Sequence, residues 1–497
     1  MNLSLAVPHD RRLFLKRLGT AGAVALAVAE GLGALPQAAP RVQAAEFVSR
    51  RPSPGDRRFV SPAVEAEIAR VTAQIADPEL AWLFANCYPN TLDTTVEVGT
   101  MGGRPDTFVL TGDIPAMWLR DSSAQVWGYL HLARSDPALQ RLFRGVIGRH
   151  ARSILIDPYA NAFGRDPNAA KSPLWWVAQD ATAMRPGVAE RKWEIDSLCH
   201  PVRLAYGYWR ATGDTVPFDS EWHRAAQVIV ATLRAEQRMD GTSPYRFQRN
   251  TTNPEDTLML NGMGAPTRKV GLIHSMFRPS DDACVYPFLI PANLFAVQAL
   301  RWLAQIAGTV LHDATLARDA VALADDVAAA LVRYGRVSDG SVWAYEVDGF
   351  GNTLFMDDAN VPSLSSLAYL GVVARDDALF RRTEARCWST ANPYFFAQGG
   401  HTGIGGPHAG VGMIWPMSLM VRALSSDDPH VVAACLAQLK TSDAGTGYMH
   451  EAFEAGNPTH YTRPWFAWAN GLFGEMVIDL AGRMPRVLAV PPALKPG

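Results

Sequence analysis

The 497-residue chain is short of most features that would fix its chemistry at once. Its five cysteines, Cys87, Cys199, Cys284, Cys387 and Cys435, are widely spaced, with no pair at metal-ligand separation. A disulfide framework is therefore not expected, and free buried thiols are. There is no H-E-x-x-H, EF-hand loop, P-loop or G-x-S-x-G elbow, and no dinucleotide fingerprint between a strand and a helix, so no metal or other cofactor is expected. Lys and Arg number 46 against 48 Asp and Glu, and no basic cluster occurs, which gives no support for a nucleic-acid partner. Strand-like alternation is scarce, "SVWAYEVDG" being the best short candidate.

What is present is an ordinary globular composition, 48% hydrophobic and 19% charged, able to bury a large core. The length fits two to four domains or one large helical toroid. The N-terminus differs in kind. "DRRLFLKRLG" puts Arg11 and Arg12 ahead of Phe14, Leu15 and Lys16, and a weakly apolar stretch follows, as in a twin-arginine export signal. Small residues in "RVQAAEF" suit cleavage after Ala44. The expectation is export to the periplasm or beyond, with the twin-arginine translocation machinery as the partner in transit. Glu30 interrupts the apolar stretch, which argues against an uncleaved membrane anchor, and no stable membrane insertion is expected after cleavage. Without residues 1–44 the balance is 41 basic to 46 acidic side chains.

Helical periodicity recurs at roughly 62–87, 115–133, 137–154, 197–212, 217–237, 283–308, 312–335, 361–372, 376–390, 411–424, 427–439 and 462–482. Consecutive pairs without a fixed-period repeat favour helical hairpins closed into a ring over a solenoid. Five long loops, among them "NGMGAPTRKVGLIHSMFRPSDDA" and "AQGGHTGIGGPHAGVGMIWP", combine Gly, carboxylates, His, Trp and amides. Aromatics beside carboxylates and amides suit a sugar, whose C–H faces stack and whose hydroxyls hydrogen-bond.

Within "TGDIPAMWLRDSSAQVWGYL", Asp113 reads as an N-cap and Pro115 as first turn of a helix apolar nearly all round, yet Arg120 and Asp121 sit in its middle. Neighbours in sequence point apart on a helix, so each needs a partner elsewhere: an ion pair with another helix, or a polar cavity. Without a metal or nucleophile motif, hydrolysis would rest on carboxylates, and glycoside hydrolysis is the reaction for which two suffice. Asp196, in "WEIDSLCHP", is either an N-cap or a desolvated acid. Glu451, beside His450 in "GYMHEAFE", is either a solvated carboxylate or the second catalytic group.

The blocks "TGDIPAMWLRDSSAQVW", "WEIDSLCHP", "FRPSDDACVYPFLIPANLFAV", "MDDANVPSL" and "YMHEAFEAGNPTHYTRPWFAWANGLF" resemble, in order, the signature blocks of glycoside hydrolase family 125, over roughly residues 62–482. The resemblance implies an all-α, (α/α)6 barrel and metal-independent exo-α-1,6-mannosidase activity with inversion. It implies Asp196 as general acid and Glu451 as general base, and a mannose-bearing glycan or oligosaccharide as substrate. Arg120, Asp121, Arg278, Asp281, Asp282, Asp357, Asp358, Asn360 and His450 become candidate sugar-binding residues, about half of them expected to touch sugar. His274 stands where a tryptophan is expected of relatives, which bears on an outer sugar contact. The domains implied are a signal over 1–44, a flexible Pro/Arg-rich extension over 45–60, one catalytic domain over 61–485 and a tail over 486–497. An exported α-glycosidase acting on another sugar, such as an α-glucosidase, and a noncatalytic glycan-binding protein remain as alternatives.

Overall fold

The computed structural model describes residues 47–492. The export-signal pattern lies outside the described residues. Among the described residues, twelve helices of nine residues or more form two concentric layers, the (α/α)6 barrel: α1 (Pro62–Thr72), α2 (Pro78–Cys87), α3 (Leu119–Trp127), α4 (Pro137–Ile156), α5 (Asp196–Thr212), α6 (Ser220–Ala235), α7 (Ile290–Thr309), α8 (Ala314–Tyr334), α9 (Ala378–Cys387), α10 (Pro416–Ser425), α11 (Pro429–Thr441) and α12 (Ala467–Arg483). The inner layer runs α10, α12, α3, α5, α7 by direct packing of each on the next. Turns over 361–373 complete it: the Val361 carbonyl lies 3.4 Å from His200 of α5, and Tyr369 donates to Glu475 of α12.

The two layers begin differently. Each outer helix has a side-chain cap: Ser61, Asp77, Asp136, Asp219, Asp313, Asp377 and Asp428 accept from first-turn amides of α1, α2, α4, α6, α8, α9 and α11. Four of these caps are followed by Pro at the first helical position, whose fixed φ suits it. The inner helices α3, α5, α7, α10 and α12 follow Trp118, Ile195, Leu289, Trp415 and Phe466, none of which supplies a side-chain cap. Three short three-stranded sheets lead into four of them. The sheet β3 (Met117–Trp118), β4 (Ala162–Phe163), β5 (Val188–Glu190) precedes α3 and α5; β6 (Phe288–Leu289) pairs with β7 (Glu346–Val347) and β8 (Thr353–Leu354) at the start of α7; β11 (Met413–Ile414), β12 (Phe453–Glu454) and β13 (Asn457–Tyr461) meet at the start of α10. A hairpin, β9 (Phe395–Gln398) and β10 (His401–Ile404), lies beside α10.

Several expectations are corrected by this arrangement. The stretch 62–87 is two helices, divided where Asp77 caps and Pro78 restarts. Asp113 caps nothing: Thr111 and Ile114 form a bridge, β3 follows, and α3 begins only at Leu119. The helices expected from 283 and 411 begin at 290 and 416, because the preceding residues are spent on β6 and β11. Residues 361–372 form turns rather than an α-helix, beginning at the Val361–Pro362 peptide. "SVWAYEVDG" contributes only the two residues of β7, whereas the longest strands, β1 (Val96–Met101) and β2 (Arg104–Val109), went unread. Their signal was the Gly102-Gly103 turn, both residues at positive φ, between alternating runs. Within residues 47–60, Arg51 pairs with Glu65 and Asp93, and the Arg50 carbonyl accepts from Tyr448. At the other end Leu488 is buried, and its carbonyl accepts from the Ala76 amide. All five cysteines are free thiols, four buried and Cys284 half-buried.

The β1–β2 hairpin packs on α4, and Gly145 is the point of closest approach. A Cβ there would lie 2.7 Å from the Thr107 amide nitrogen and 2.8 Å from the Asp106 carbonyl carbon, both backbone atoms that cannot swing aside. In an exposed helix, Gly→Ala stabilises by up to about 1 kcal/mol. Here Gly145→Ala is expected to destabilise instead, by about 1–3 kcal/mol, as overpacking does. Urea unfolding checks the sign, and an unchanged or raised midpoint would show that the helix and hairpin separate freely.

Candidate active site

A cavity of about 370 Å³ lies where the inner helices begin. Arg120 in the first turn of α3, Trp468 in the first turn of α12, and Trp415 immediately before α10 all line it. Of the residues singled out from sequence, Arg120, Asp121, Asp281, Asn360 and Glu451 line the cavity together. Trp118, Trp415, Phe466 and Trp468 give it aromatic walls.

Its floor is organised by Arg120, whose side chain is almost wholly buried. One guanidinium nitrogen, Nη1, donates to Glu194 Oε2 at 2.6 Å and to Asp196 Oδ2 at 3.0 Å. Nη2 donates to Asp281 Oδ1 at 3.3 Å. Asp121 Oδ2 lies 3.6 Å from Nε, so the two sequence neighbours form an ion pair after all, Arg120 bending back while also serving other elements. Asn161 Nδ2 adds donors to Glu190, Glu194 and Asp281, and Lys192 Nζ binds the Asp281 carbonyl at 2.6 Å. Four carboxylates thus surround one guanidinium. Burial, the dominant influence, raises both Glu194 and Asp196 above the usual carboxylate range, while Arg120 opposes it. Asp281 holds φ +66°, a left-handed backbone that Asp tolerates better than most residues, beside the cavity.

Asp196 is the first residue of α5, not its N-cap. It is fully buried behind Arg120 rather than on the cavity wall, and its Oδ1 meets no hydrogen-bond donor among the described residues. Glu451 is on the wall. Arg463 Nε lies 3.3 Å from Glu451 Oε1, and Arg463 in turn pairs with Asp113 at the rim.

The remaining candidates support the site rather than line it. His450 stacks on Tyr461 at 3.8 Å, with its ring nitrogens 2.7 Å and 3.1 Å from the Arg463 and Asp443 carbonyls, which fixes the backbone beside Glu451. Asp282 holds the cavity-lining His408 at 3.2 Å, and Asp358 accepts from the amide and side chain of Asn360. Three candidates lie away from the cavity. Asp357 accepts from the Leu364 and Ser365 amides and the Ser365 hydroxyl, holding the inner-layer turns, with burial raising its carboxyl to about 7. Arg278 is committed to Glu346 at 2.6 Å. His274 is buried between Phe288, Thr267 and the Glu236 carbonyl and does not line this cavity. Sequence reasoning passed over Glu194, Arg463 and His408. Glu194 lies two residues from Asp196 in the same quoted block, and Arg463 and His408 each sit in a Gly-rich or aromatic loop that had been singled out.

The sequence pattern of the family described as metal-independent alpha-mannosidase (GH125) matches residues 77–478. The meiotically up-regulated gene 157 protein of Schizosaccharomyces pombe is 42% identical over 456 residues, spanning 88% of this chain and 89% of the relative. A Streptococcus pneumoniae structure from a family of metal-independent alpha mannosidases, in non-productive complex with alpha-1,6-mannobiose, superimposes with a TM-score of 0.81 at 40% identity, over 85% of this chain and 99% of that one. A GH78 rhamnosidase from Bacillus sp. GL1 shares the fold at 12% identity, TM-score 0.50, over 82% of this chain and 35% of its own.

Removing the guanidinium tests the floor. Arg120→Met leaves four buried carboxylates uncompensated, and breaking such a pair costs about 3–5 kcal/mol. Glu194 and Asp196 then titrate still further above their unfolded values. Their favourable, protonated contribution is present below about pH 4 and is lost as pH rises through the raised values. The variant's deficit is therefore expected to be larger at pH 8 than at pH 5 in urea unfolding. An equal deficit at both would mean that Arg120 contributes packing alone.

Proposed function

The chain belongs to the metal-independent α-mannosidases of glycoside hydrolase family 125, and from that membership we propose that it removes a terminal α-1,6-linked mannose from glycans or oligosaccharides with inversion at the anomeric carbon. The observation that carries the reading is a wall carboxylate, Glu451, in an aromatic-walled cavity whose floor residue, Arg120, holds the buried carboxyl of Asp196 behind it. The α-1,6-mannobiose held by the pneumococcal relative supports the linkage. The Arg120 cluster closes the cavity beneath, which suits a terminal sugar and so an exo-acting enzyme.

In the proposed step Asp196 gives its proton to the glycosidic oxygen as the bond from that oxygen to the anomeric carbon breaks. Glu451 takes a proton from the water that attacks the opposite face of the same carbon. Asp196 leaves the step ionised and Glu451 protonated, and exchange with solvent resets both. The acid must hold a proton near neutral pH, which burial favours at Asp196. The base must be ionised, and Arg463 supplies the adjacent positive charge. Residues 1–44 would direct export, so that the glycan is met outside the cytoplasm.

Asp196→Asn is expected to lower turnover of α-1,6-mannobiose by at least about a hundredfold while aryl mannosides with good leaving groups suffer less. Asp121→Asn, on the cavity wall, is the control: if it alone shows that leaving-group pattern, the acid is Asp121. For Glu451→Gln, loss on both substrate types and rescue by azide giving β-mannosyl azide are expected, and hydrolysis at the parent rate would overturn the base assignment. Proton NMR of the first-formed sugar should show β-mannose, and α-mannose would refute inversion.

A further inference from the structure

Glu194 and Asp196 share one nitrogen of Arg120, but the rest of their surroundings is unequal. Glu194 Oε2 also accepts from the Ser197 hydroxyl at 2.9 Å, and its Oε1 accepts from Asn161 Nδ2 at 3.3 Å. Both of its oxygens are therefore served, by three donors, which work against burial and the facing Asp281 carboxyl. Asp196 accepts at Oδ2 from Arg120, its own backbone amide is the one further donor near the carboxylate, and its buried Oδ1 meets no donor from another residue among the described residues. Hydrogen bonds to the charged form favour ionisation, and a buried anionic oxygen without a donor disfavours it. Two such carboxyls titrate as a pair, and the donors decide where its one proton resides.

We propose that Glu194 is a positioning residue: it stays ionised under its three donors and thereby keeps the proton of the pair on Oδ1 of Asp196. The inference rests on the reading of Asp196 as the acid and assigns the group that keeps it loaded. Other charged and titratable groups face the pair from the neighbouring elements. Arg120 and Asp121 come from α3, Asp281 and Cys284 from the loop before α7, Glu190 from β5, Lys192 from the connection to α5, Tyr245 from the loop after α6, and Cys199 and His200 from α5. Arg120 is the nearest cation to both members and so does not distinguish them; Ser197 and Asn161 do.

Infrared difference titration of the full-length protein reads the proton directly, through the carbonyl stretch of a protonated buried carboxyl. The wild type should show this band at pH 7, and Asp196→Asn should lack it. Glu194→Gln should keep the band but lose it at a pH lower by about one unit or more, because a neighbouring negative charge has gone. The basic limb of kcat/KM on α-1,6-mannobiose should move down with it, while the acidic limb, which reports Glu451, stays in place. Glu194→Asp should restore much of the shift. Ser197→Ala, which deletes one donor and keeps both carboxyls, should move part of the band's intensity to Glu194, and this serves if the Gln variant does not fold. A band that survives Asp196→Asn and vanishes in Glu194→Gln would overturn the proposal, as would an unaltered band in Ser197→Ala. If Asp196→Asn removes the band yet leaves the leaving-group dependence of the wild type, the proton placement holds and the acid assignment fails.

Discussion

The guanidinium of Arg120 is the interaction on which the site depends. It joins the start of α3 to the start of α5 and to the loop ahead of α7. Taking such a group out of water is expensive, and only close, hydrogen-bonded counter-charges offset it. Here the counter-charges outnumber it four to one. An excess of that kind in a buried place is relieved by retained protons, so the structural ion pair and the polar cavity, which look like rival explanations of a charged residue in an apolar helix, are one arrangement.

The helix starts reinforce it. Outer helices close their own N-termini with Ser or Asp side chains, whereas the inner ones begin after Trp, Ile, Leu, Trp and Phe. The positive ends of α3, α5 and α12 consequently face a floor rich in carboxylates. Aromatic residues at three of those starts, Trp118, Trp415 and Phe466, also become cavity wall. A single choice at each N-cap position thus contributes to both the electrostatics and the shape of the site.

Much of this was legible in the sequence. Ordered motif blocks carried the family and the barrel, and the cavity gathers Arg120, Asp121, Asp281, Asn360 and Glu451 from three of those blocks and from the "MHE" segment. Helix boundaries were least legible where apolar periodicity runs through a strand of two residues, as before α3, α7 and α10, because so short a strand leaves no period to read. Motif membership also could not separate sugar-facing residues from those that hold loops. Asp357 and Asp358 are adjacent, yet one caps turns and the other orients Asn360, a distinction made by backbone amides that no spacing reveals. Arg278 and His274 belong to a motif block and its approach, but their partners, Glu346 and the Glu236 carbonyl, are distant in sequence.

The free thiols carry a consequence of another kind. Burial raises every one of the five well above the ordinary thiol range, Cys435 to about 12 and the others by desolvation likewise. The thiolate is the species that attacks disulfides and is oxidised, so the fold holds these thiols in their less reactive form. That protection is a property of the fold and ends with it. Once opened, five thiols regain ordinary reactivity together and can cross-link before the barrel closes again, so the working lifetime of the protein in an oxidising medium is set by its rate of unfolding rather than by its equilibrium stability.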